Sequence, residues 1–175
     1  MRTVPLNLIK KRVAVLAIGS STLRNQGAKG VAESARKFLD RLNLEAIAEG
    51  ERVSFGRRLN RATENMQRTF PAGAKNWGAA RKAINLFLRD VLYNRYLSAQ
   101  YRFDRIAGHL EVPLDGDVAR ALRSEPEGAD LPRWPSIKHL TPEISALYQA
   151  VAKSVAERMG TTPVHLDLHY WRRDV

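Results

Sequence analysis

The chain has 175 residues, with 29 Lys and Arg against 18 Asp and Glu and no Cys. Its 44% hydrophobic and 27% charged residues are typical of a globular protein with one compact domain. The lack of Cys excludes a disulfide scaffold, a thiolate metal site and a cysteine nucleophile. The longest aliphatic run, residues 13–18, is far shorter than the ~20 residues of a bilayer span. We therefore expect a cytoplasmic protein with no membrane contact and no cofactor.

Three helices are predicted in the first 70 residues. Residues 5–18 are largely apolar and end before a polar, turn-prone segment. Residues 31–42 and 54–70 then repeat apolar side chains at spacings of three and four, as amphipathic helices do. Four cations of the last segment fall away from its apolar face, so we expect them on the exposed side: Arg57, Arg58, Arg61 and Arg68.

The longest predicted helix covers residues 78–101. One side of it carries large apolar residues at helical spacing and is expected to be buried. Arg81, Asn85 and Arg89 follow one another at intervals of four on a polar stripe, with Lys82 beside them. This pattern predicts a basic, solvent-facing stripe on a helix whose other face lies in the core.

A short helix is predicted after Pro113. Proline disfavours helix at the residue before it, so the segment leading to it should be extended. Asp115 or Asp117 then stands where an N-cap is needed for a helix that runs through Leu122.

The clearest helix in the sequence covers residues 142–159. Thr141 is a good N-cap, Pro142 suits the first helical position, and Gly160 ends the helix. A shorter helix is expected to start at 162–163. The whole pattern predicts an all-α fold, a compact bundle of six or seven helices in a single domain, with these residues in its core: Leu59, Met66, Phe87, Leu88, Val91, Leu147, Val151 and Val155.

The positive charge is concentrated in one part of the chain. Residues 1–110 carry 21 Lys and Arg against 8 Asp and Glu, a net charge of +13, whereas residues 111–175 carry 8 against 10. A surface that neutralises phosphates has this character, and Arg forms bidentate phosphate contacts. We expect nucleic acid, DNA rather than RNA, as the partner of these residues: Arg57, Arg58, Arg61, Lys75, Trp77, Arg81, Lys82 and Arg89.

The segment 75–89 carries the most specific part of this prediction. A loop with Lys75 and Trp77 leads into the start of a basic helix, and helix N-termini favour anions. Such modules contact the phosphate backbone, and Trp77 would stack on a base. The alternative is a core helix whose solvent face happens to be basic.

The same segment resembles the core of the helix-hairpin-helix DNA glycosylases. The resemblance covers about 45 residues, from Gly78-Ala-Ala-Arg-Lys-Ala-Ile-Asn-Leu to Val112-Pro-Leu-Asp-Gly-Asp-Val-Ala-Arg-Ala-Leu. In that family a glycine hairpin leads to a helix with a Schiff-base lysine, and an essential aspartate follows. The resemblance implies that Gly78 is a hairpin glycine, that Lys82 is the nucleophile, and that Asp115 stabilises positive charge on the sugar. The second hairpin glycine is replaced by Ala80, and Gly116-Asp117 stands where the family has Thr-His.

Three function classes remain open at this point. The first is a nucleic-acid-binding helical protein that contacts mainly the phosphate backbone and has no catalysis. The second is a DNA-repair glycosylase/lyase that uses Lys82 and Asp115. The third is an interaction subunit that binds an acidic protein. His165 and His169 have a spacing that permits zinc binding, but the glutamate of the usual motif is absent, and we expect no metal site. The oligomeric state is left open.

Overall fold

The computed structural model describes residues 5–49 and 52–171, and their regular structure is entirely helical. The prediction of an all-α fold is confirmed. The described residues form nine α-helices: α1 Leu6–Ala17, α2 Val31–Arg41, α3 Leu44–Ala48, α4 Arg52–Thr69, α5 Trp77–Tyr93, α6 Arg95–Tyr101, α7 Gly116–Ser124, α8 Pro142–Arg158 and α9 Leu166–Tyr170. Four 3₁₀ helices lie between them: Phe103–His109, Pro126–Gly128, Ile137–His139 and Pro163–His165.

The described residues form more helices than the expected six or seven. The additional ones are short and occur where the sequence has no long run of apolar residues at helical spacing. The predicted helix 78–101 is in fact two helices that meet at Asn94. Asn94 has extended backbone angles, and its side chain accepts hydrogen bonds from the amides of Tyr96 and Leu97. This side chain therefore starts α6 as an N-cap and separates it from α5.

The helix starts that capping residues predict are confirmed. The Thr141 side chain accepts a hydrogen bond from the Ile144 amide at the start of α8. Asp115, of the two candidates, caps α7 and accepts from the amides of Asp117 and Val118, both at 3.0 Å. These caps satisfy amides that have no partner within the helix.

Two hydrophobic clusters divide the interior. The first cluster lies in residues 13–110, joined by Val164, and α1, α2, α4 and α5 supply most of it. The second cluster lies in residues 112–170 and is built from α7, α8, α9 and the segments between them. We call residues 5–110 the N-terminal region and residues 111–171 the C-terminal region.

Helix α5 lies at the boundary between the two regions. Its buried residues include Ile84, Phe87, Leu88 and Val91 of the first cluster, while Trp77 at its start packs against the second. Gly78 lets the 3₁₀ helix Ile137–His139 approach α5 closely, because a Cβ at this position would stand 2.2 Å from the Ile137 carbonyl oxygen. The C-terminal region therefore packs directly onto α5.

Most of the predicted core is buried, and one residue is not. Leu59, Met66, Phe87, Leu88, Val91 and Val155 are 0–1% exposed, and Val151 is partly buried against the second cluster. The prediction for Leu147 is wrong, because its residue is 53% exposed. Tyr148 and Ser145 are buried on α8 instead, so the buried face of this helix is rotated by about one residue.

Candidate functional site

The polar face of α5 is covered by carboxylates of the C-terminal region. Arg81, Lys82 and Arg89 each form an ion pair with an acidic residue that follows position 110. Asn85, on the same face, donates to the Glu111 carboxylate at 2.9 Å. We call this set of contacts the seam, and its members are Arg81, Lys82, Asn85 and Arg89 on α5 with Glu111, Asp115 and Asp167.

Arg81 is the most enclosed cation of the seam. Its Nε lies 3.0 Å from Glu111 Oε2, and its terminal nitrogens donate to Thr63 Oγ1 at 2.9 Å and Asn60 Oδ1 at 2.7 Å. The guanidinium also lies 4.9 Å from the centre of the Trp77 ring. Burial lowers the pKa of Arg81, and the Glu111 charge opposes that shift. This residue links α4, α5 and the start of the C-terminal region.

The expectation that Arg81 and Arg89 face solvent is therefore wrong. Arg81 is 8% exposed, and the side chain of Arg89 is 20% exposed. The polar stripe of α5 faces a second part of the protein, which supplies carboxylates for both guanidinium groups. Buried cations of this kind are paired because an unpaired charge in the interior is costly.

Lys82 and Asp115 lie close together although 33 positions separate them in the sequence. Lys82 Nζ is 3.5 Å from Asp115 Oδ2, and the two side chains are 14% and 35% exposed. One carboxylate oxygen of Asp115 caps α7 while the other faces the ammonium. The cap fixes the carboxylate, and α5 fixes the lysine, so the pair is positioned from two sides and remains reachable from solvent.

Arg89 connects α5 to α9. Its guanidinium pairs with Asp90 at 2.7 Å and with Asp167 of α9. Burial alone would lower the pKa of Arg89, but the two carboxylates outweigh it and raise the pKa. Burial raises the pKa of Asp167, and the charge of Arg89 opposes this rise, while Asp115 adds to it. The carboxylates of Asp115 and Asp167 thus interact electrostatically within the seam.

Tyr93 and His165 extend this arrangement at the end of α5. The rings are stacked with centroids 5.6 Å apart and an angle of 11°, and Tyr93 Oη lies 2.9 Å from His165 Nδ1. Burial raises the pKa of Tyr93, and burial and then the charge of His169 lower the pKa of His165. At neutral pH the phenol is therefore protonated and the imidazole is neutral, and the imidazole tautomer decides which of the two donates the hydrogen bond.

The other residues predicted to contact nucleic acid have mixed positions. Arg57, Arg61 and Lys75 are exposed, and the two arginines are one turn apart on α4. Arg58 is half-buried, and its guanidinium donates to the backbone carbonyls of Ile47 and Glu49. Trp77 is also half-buried, between Arg81 and the second cluster, so its ring is already engaged within the protein.

Sequence reasoning missed the acidic half of the seam. Glu111 and Asp167 were not singled out, and neither was Tyr93. The available signal was the change in charge balance at position 110, because an acidic region that follows a basic one can neutralise it within the same chain.

No known relative identifies this site. Family models, curated proteins and solved structures all yield no match to this chain. Within residues 5–49 and 52–171, no group of three or more His, Asp or Glu side chains could hold a metal ion. In the same residues, no helix is long and apolar enough to cross a bilayer.

Proposed function

We propose that the protein is a DNA-repair glycosylase/lyase in which Lys82 is the nucleophile and Asp115 its acidic partner. The observation that carries the proposal is the 3.5 Å approach of Lys82 Nζ to Asp115 Oδ2. The two residues are those that the resemblance to helix-hairpin-helix glycosylases assigns to the chemistry. Ion pairs of this kind are common in proteins, but this one lies at the boundary of two regions, half-buried and open to solvent on one side.

The close approach of Gly78 adds support. Gly78 stands at the start of α5, where the resemblance has a hairpin glycine, and its missing side chain admits the backbone at Ile137. Lys82 follows one turn later on the same helix. The order of glycine, lysine and aspartate along the chain is the one that the resemblance implies.

The proposed reaction is nucleophilic displacement at the sugar. Lys82 passes its proton to Asp115, and the free amine forms a bond to C1′ while the glycosidic bond breaks. The base leaves with the bonding electrons and takes the proton from Asp115. One proton of the new secondary ammonium then passes to O4′ as the C1′–O4′ bond breaks, which leaves a protonated imine on Lys82 and a hydroxyl at C4′. The Asp115 carboxylate, again negative, stabilises the charge of the imine.

In this proposal the cations that remain exposed contact the DNA backbone. Arg57 and Arg61 share one line of α4 with Arg68, and Lys75 precedes α5. A target base must leave the stack before Lys82 can reach C1′, and backbone contacts outside the seam hold the strand while it does. Arg81 and Arg89 are excluded from this role because carboxylates already occupy them.

Borohydride trapping on an abasic duplex tests the proposal. The amine of Lys82 condenses with the aldehyde of the abasic sugar and releases water, and borohydride reduces the imine to a stable cross-link. We expect a covalent protein–DNA band with the wild type and at least a hundredfold less with Lys82→Arg, which keeps the charge but not the nucleophile. Asp115→Asn should reduce the band while the fold persists, because Asn is as good an N-cap as Asp.

Lys153 provides a matched control. Its Nζ also lies 3.5 Å from a carboxylate, that of Glu157, but the pair is on the surface of α8. Lys153→Arg should trap as the wild type does. A band of equal strength in Lys82→Arg would contradict the proposal.

A DNA-binding protein without catalysis is the second candidate. The specific observation in its favour is the exposed arginine line Arg57, Arg61 and Arg68 on α4, which does not involve Lys82. This candidate predicts salt-dependent binding, with a slope of roughly −0.9 for each phosphate contact on duplex DNA, and no trapping. Replacing Arg57 and Arg61 by Glu should flatten that slope by about 2.

A further inference from the structure

Two exposed tyrosines lie near the end of α5, and the proposed reaction uses neither of them. Tyr93 is 42% exposed although His165 stacks on it, and Tyr96 at the start of α6 is 48% exposed. The Arg95 guanidinium lies 6.0 Å from the centre of the Tyr96 ring. Large exposed rings beside a cation are typical of surfaces that stack nucleic-acid bases.

Tyr93 lies on the same side of α5 as the proposed nucleophile, Lys82. Lys82, Arg89 and Tyr93 are separated by seven and four positions, which places them along one line of a helix. All three contact the C-terminal region, through Asp115, Asp167 and His165 respectively. At 1.5 Å per residue, Tyr93 lies about 16 Å along the helix from Lys82.

We infer that Tyr93, stacked on His165, is a platform for an unpaired base of the DNA strand that carries the reacting nucleotide. The inference rests on the proposed function, and it adds a substrate preference to it. A strand within duplex DNA advances about 3.4 Å per nucleotide and an unpaired strand extends further, so the platform receives a base a few nucleotides from the reacting sugar. The substrate class is accordingly DNA with a single-stranded stretch next to the target.

The pairing of Tyr93 with His165 makes the ring suitable for this role. A tyrosine ring has two faces, and the stack and the Oη–Nδ1 hydrogen bond hold one of them against the C-terminal region. The ring is thereby fixed in orientation before any base arrives, which reduces the entropy lost on binding. A paired base inside a duplex offers no free face, so the platform discriminates single strands from duplexes.

Binding of two DNAs of one sequence tests the inference. A labelled 12-nucleotide single strand and its perfectly paired duplex are titrated at the same salt concentration with the wild type, Tyr93→Leu and Tyr93→Phe. Base–aromatic stacking is worth ~1–3 kcal/mol, or about 5- to 150-fold in affinity. We expect Tyr93→Leu to bind the single strand at least fivefold more weakly and the duplex as the wild type does. Tyr93→Phe, which keeps the ring, should stay within about twofold on both.

Two binding outcomes contradict the inference. Equal single-strand affinity in Tyr93→Leu and the wild type would remove the platform, and an equal loss on both DNAs would assign Tyr93 to backbone contact. Melting temperatures of the variants show whether the fold persists, and His165→Gln gives a second test because it removes the supporting ring. Trapping is read separately on a duplex with one abasic site. If the wild type gives no trapped adduct while Tyr93→Leu still weakens single-strand binding, the proposed function is overturned and the platform remains.

Discussion

The N-terminal and C-terminal regions differ in charge and in construction, and they meet on one helix. The N-terminal region contains the long helices α4 and α5, with 18 and 17 residues, and carries all of the excess positive charge. The C-terminal region has one long helix, α8, and otherwise short helices and extended segments. Its carboxylates Glu111, Asp115 and Asp167 face the cations of α5.

The excess positive charge that is counted in the sequence is therefore not all available to a partner. Three cations of α5 are matched within the chain by the C-terminal region. Among the described residues, the exposed arginines of α4 form no ion pair with Glu111, Asp115 or Asp167. A basic region can therefore contain both cations that pair internally and cations that face solvent, and only the second kind contributes to phosphate binding.

The largest effect is expected from the first cluster. Leu88 is 1% exposed, so Leu88→Ala should lower the free energy of unfolding by ~3–5 kcal/mol through lost transfer energy and a cavity. Leu147→Ala in the C-terminal region is the matched control, because that residue is 53% exposed and should change stability by less than ~0.5 kcal/mol. Urea denaturation of both variants measures the contrast. Equal losses would mean that α8 buries the face predicted from sequence.

The seam is tested by removing its most buried cation. Arg81→Met should cost about 3 kcal/mol, because it leaves the Glu111 carboxylate half-enclosed without its partner. The double variant Arg81→Met with Glu111→Gln should recover part of that loss, as coupled residues do. Lys37→Met removes an exposed pair with Glu33 on α2 and should leave the unfolding transition unchanged. Additive effects of the two substitutions would show that Arg81 and Glu111 do not stabilise each other.

Alanine substitutions at two glycines distinguish the effect of close packing from the effect of helix propensity. In Gly78→Ala the new Cβ meets the Ile137 carbonyl oxygen at 2.2 Å, so we expect a loss of ~1–3 kcal/mol from forced displacement of the C-terminal region. In Gly56→Ala the Cβ meets nothing within 4 Å, and the helical backbone should gain ~0.5–1 kcal/mol. Thermal unfolding distinguishes them. A neutral Gly78→Ala would mean that the two regions do not need their close contact.

The smallest effect concerns the imidazole that the C-terminal region places against α5. Burial and the nearby His169 lower the pKa of His165 below 6.5, and burial is the larger cause. His169→Gln should therefore raise the pKa of His165 without restoring it to 6.5, as NMR titration of the ring protons would show. Between the lowered pKa and 6.5 the unfolded chain binds more protons, so this residue adds stability as the pH rises through that window. A titration at or above 6.5 in the wild type would contradict the stacked, half-buried placement.

The helices and most of their buried faces could be predicted from the sequence. Period, caps and terminators agree in 142–158, and the structure begins and ends that helix within one residue of the prediction. The break at Asn94 was missed because apolar residues continue at helical spacing on both sides of it. A capping asparagine does not interrupt that spacing. Leu147 was misplaced because α8 has apolar residues on more than one side, and only the docked helices decide which side is inside.

The candidate site could be predicted only in part. The sequence resemblance brings Lys82 and Asp115 together, and the structure places them 3.5 Å apart. The burial of Arg81 could not be predicted from the sequence. A polar stripe on a helix has the same pattern whether it faces water or a carboxylate 30 residues away. Contacts between distant parts of a chain depend on how helices dock, which local pattern does not record.

The role of Lys82 as the nucleophile is tested by mapping the lysine that forms a reduced adduct on abasic DNA. After borohydride reduction, digestion and mass spectrometry locate the sugar fragment on one peptide. We expect the fragment on Lys82, which faces Asp115 across the seam. A fragment on Lys75, Lys153 or another lysine, or no adduct at all, would contradict it.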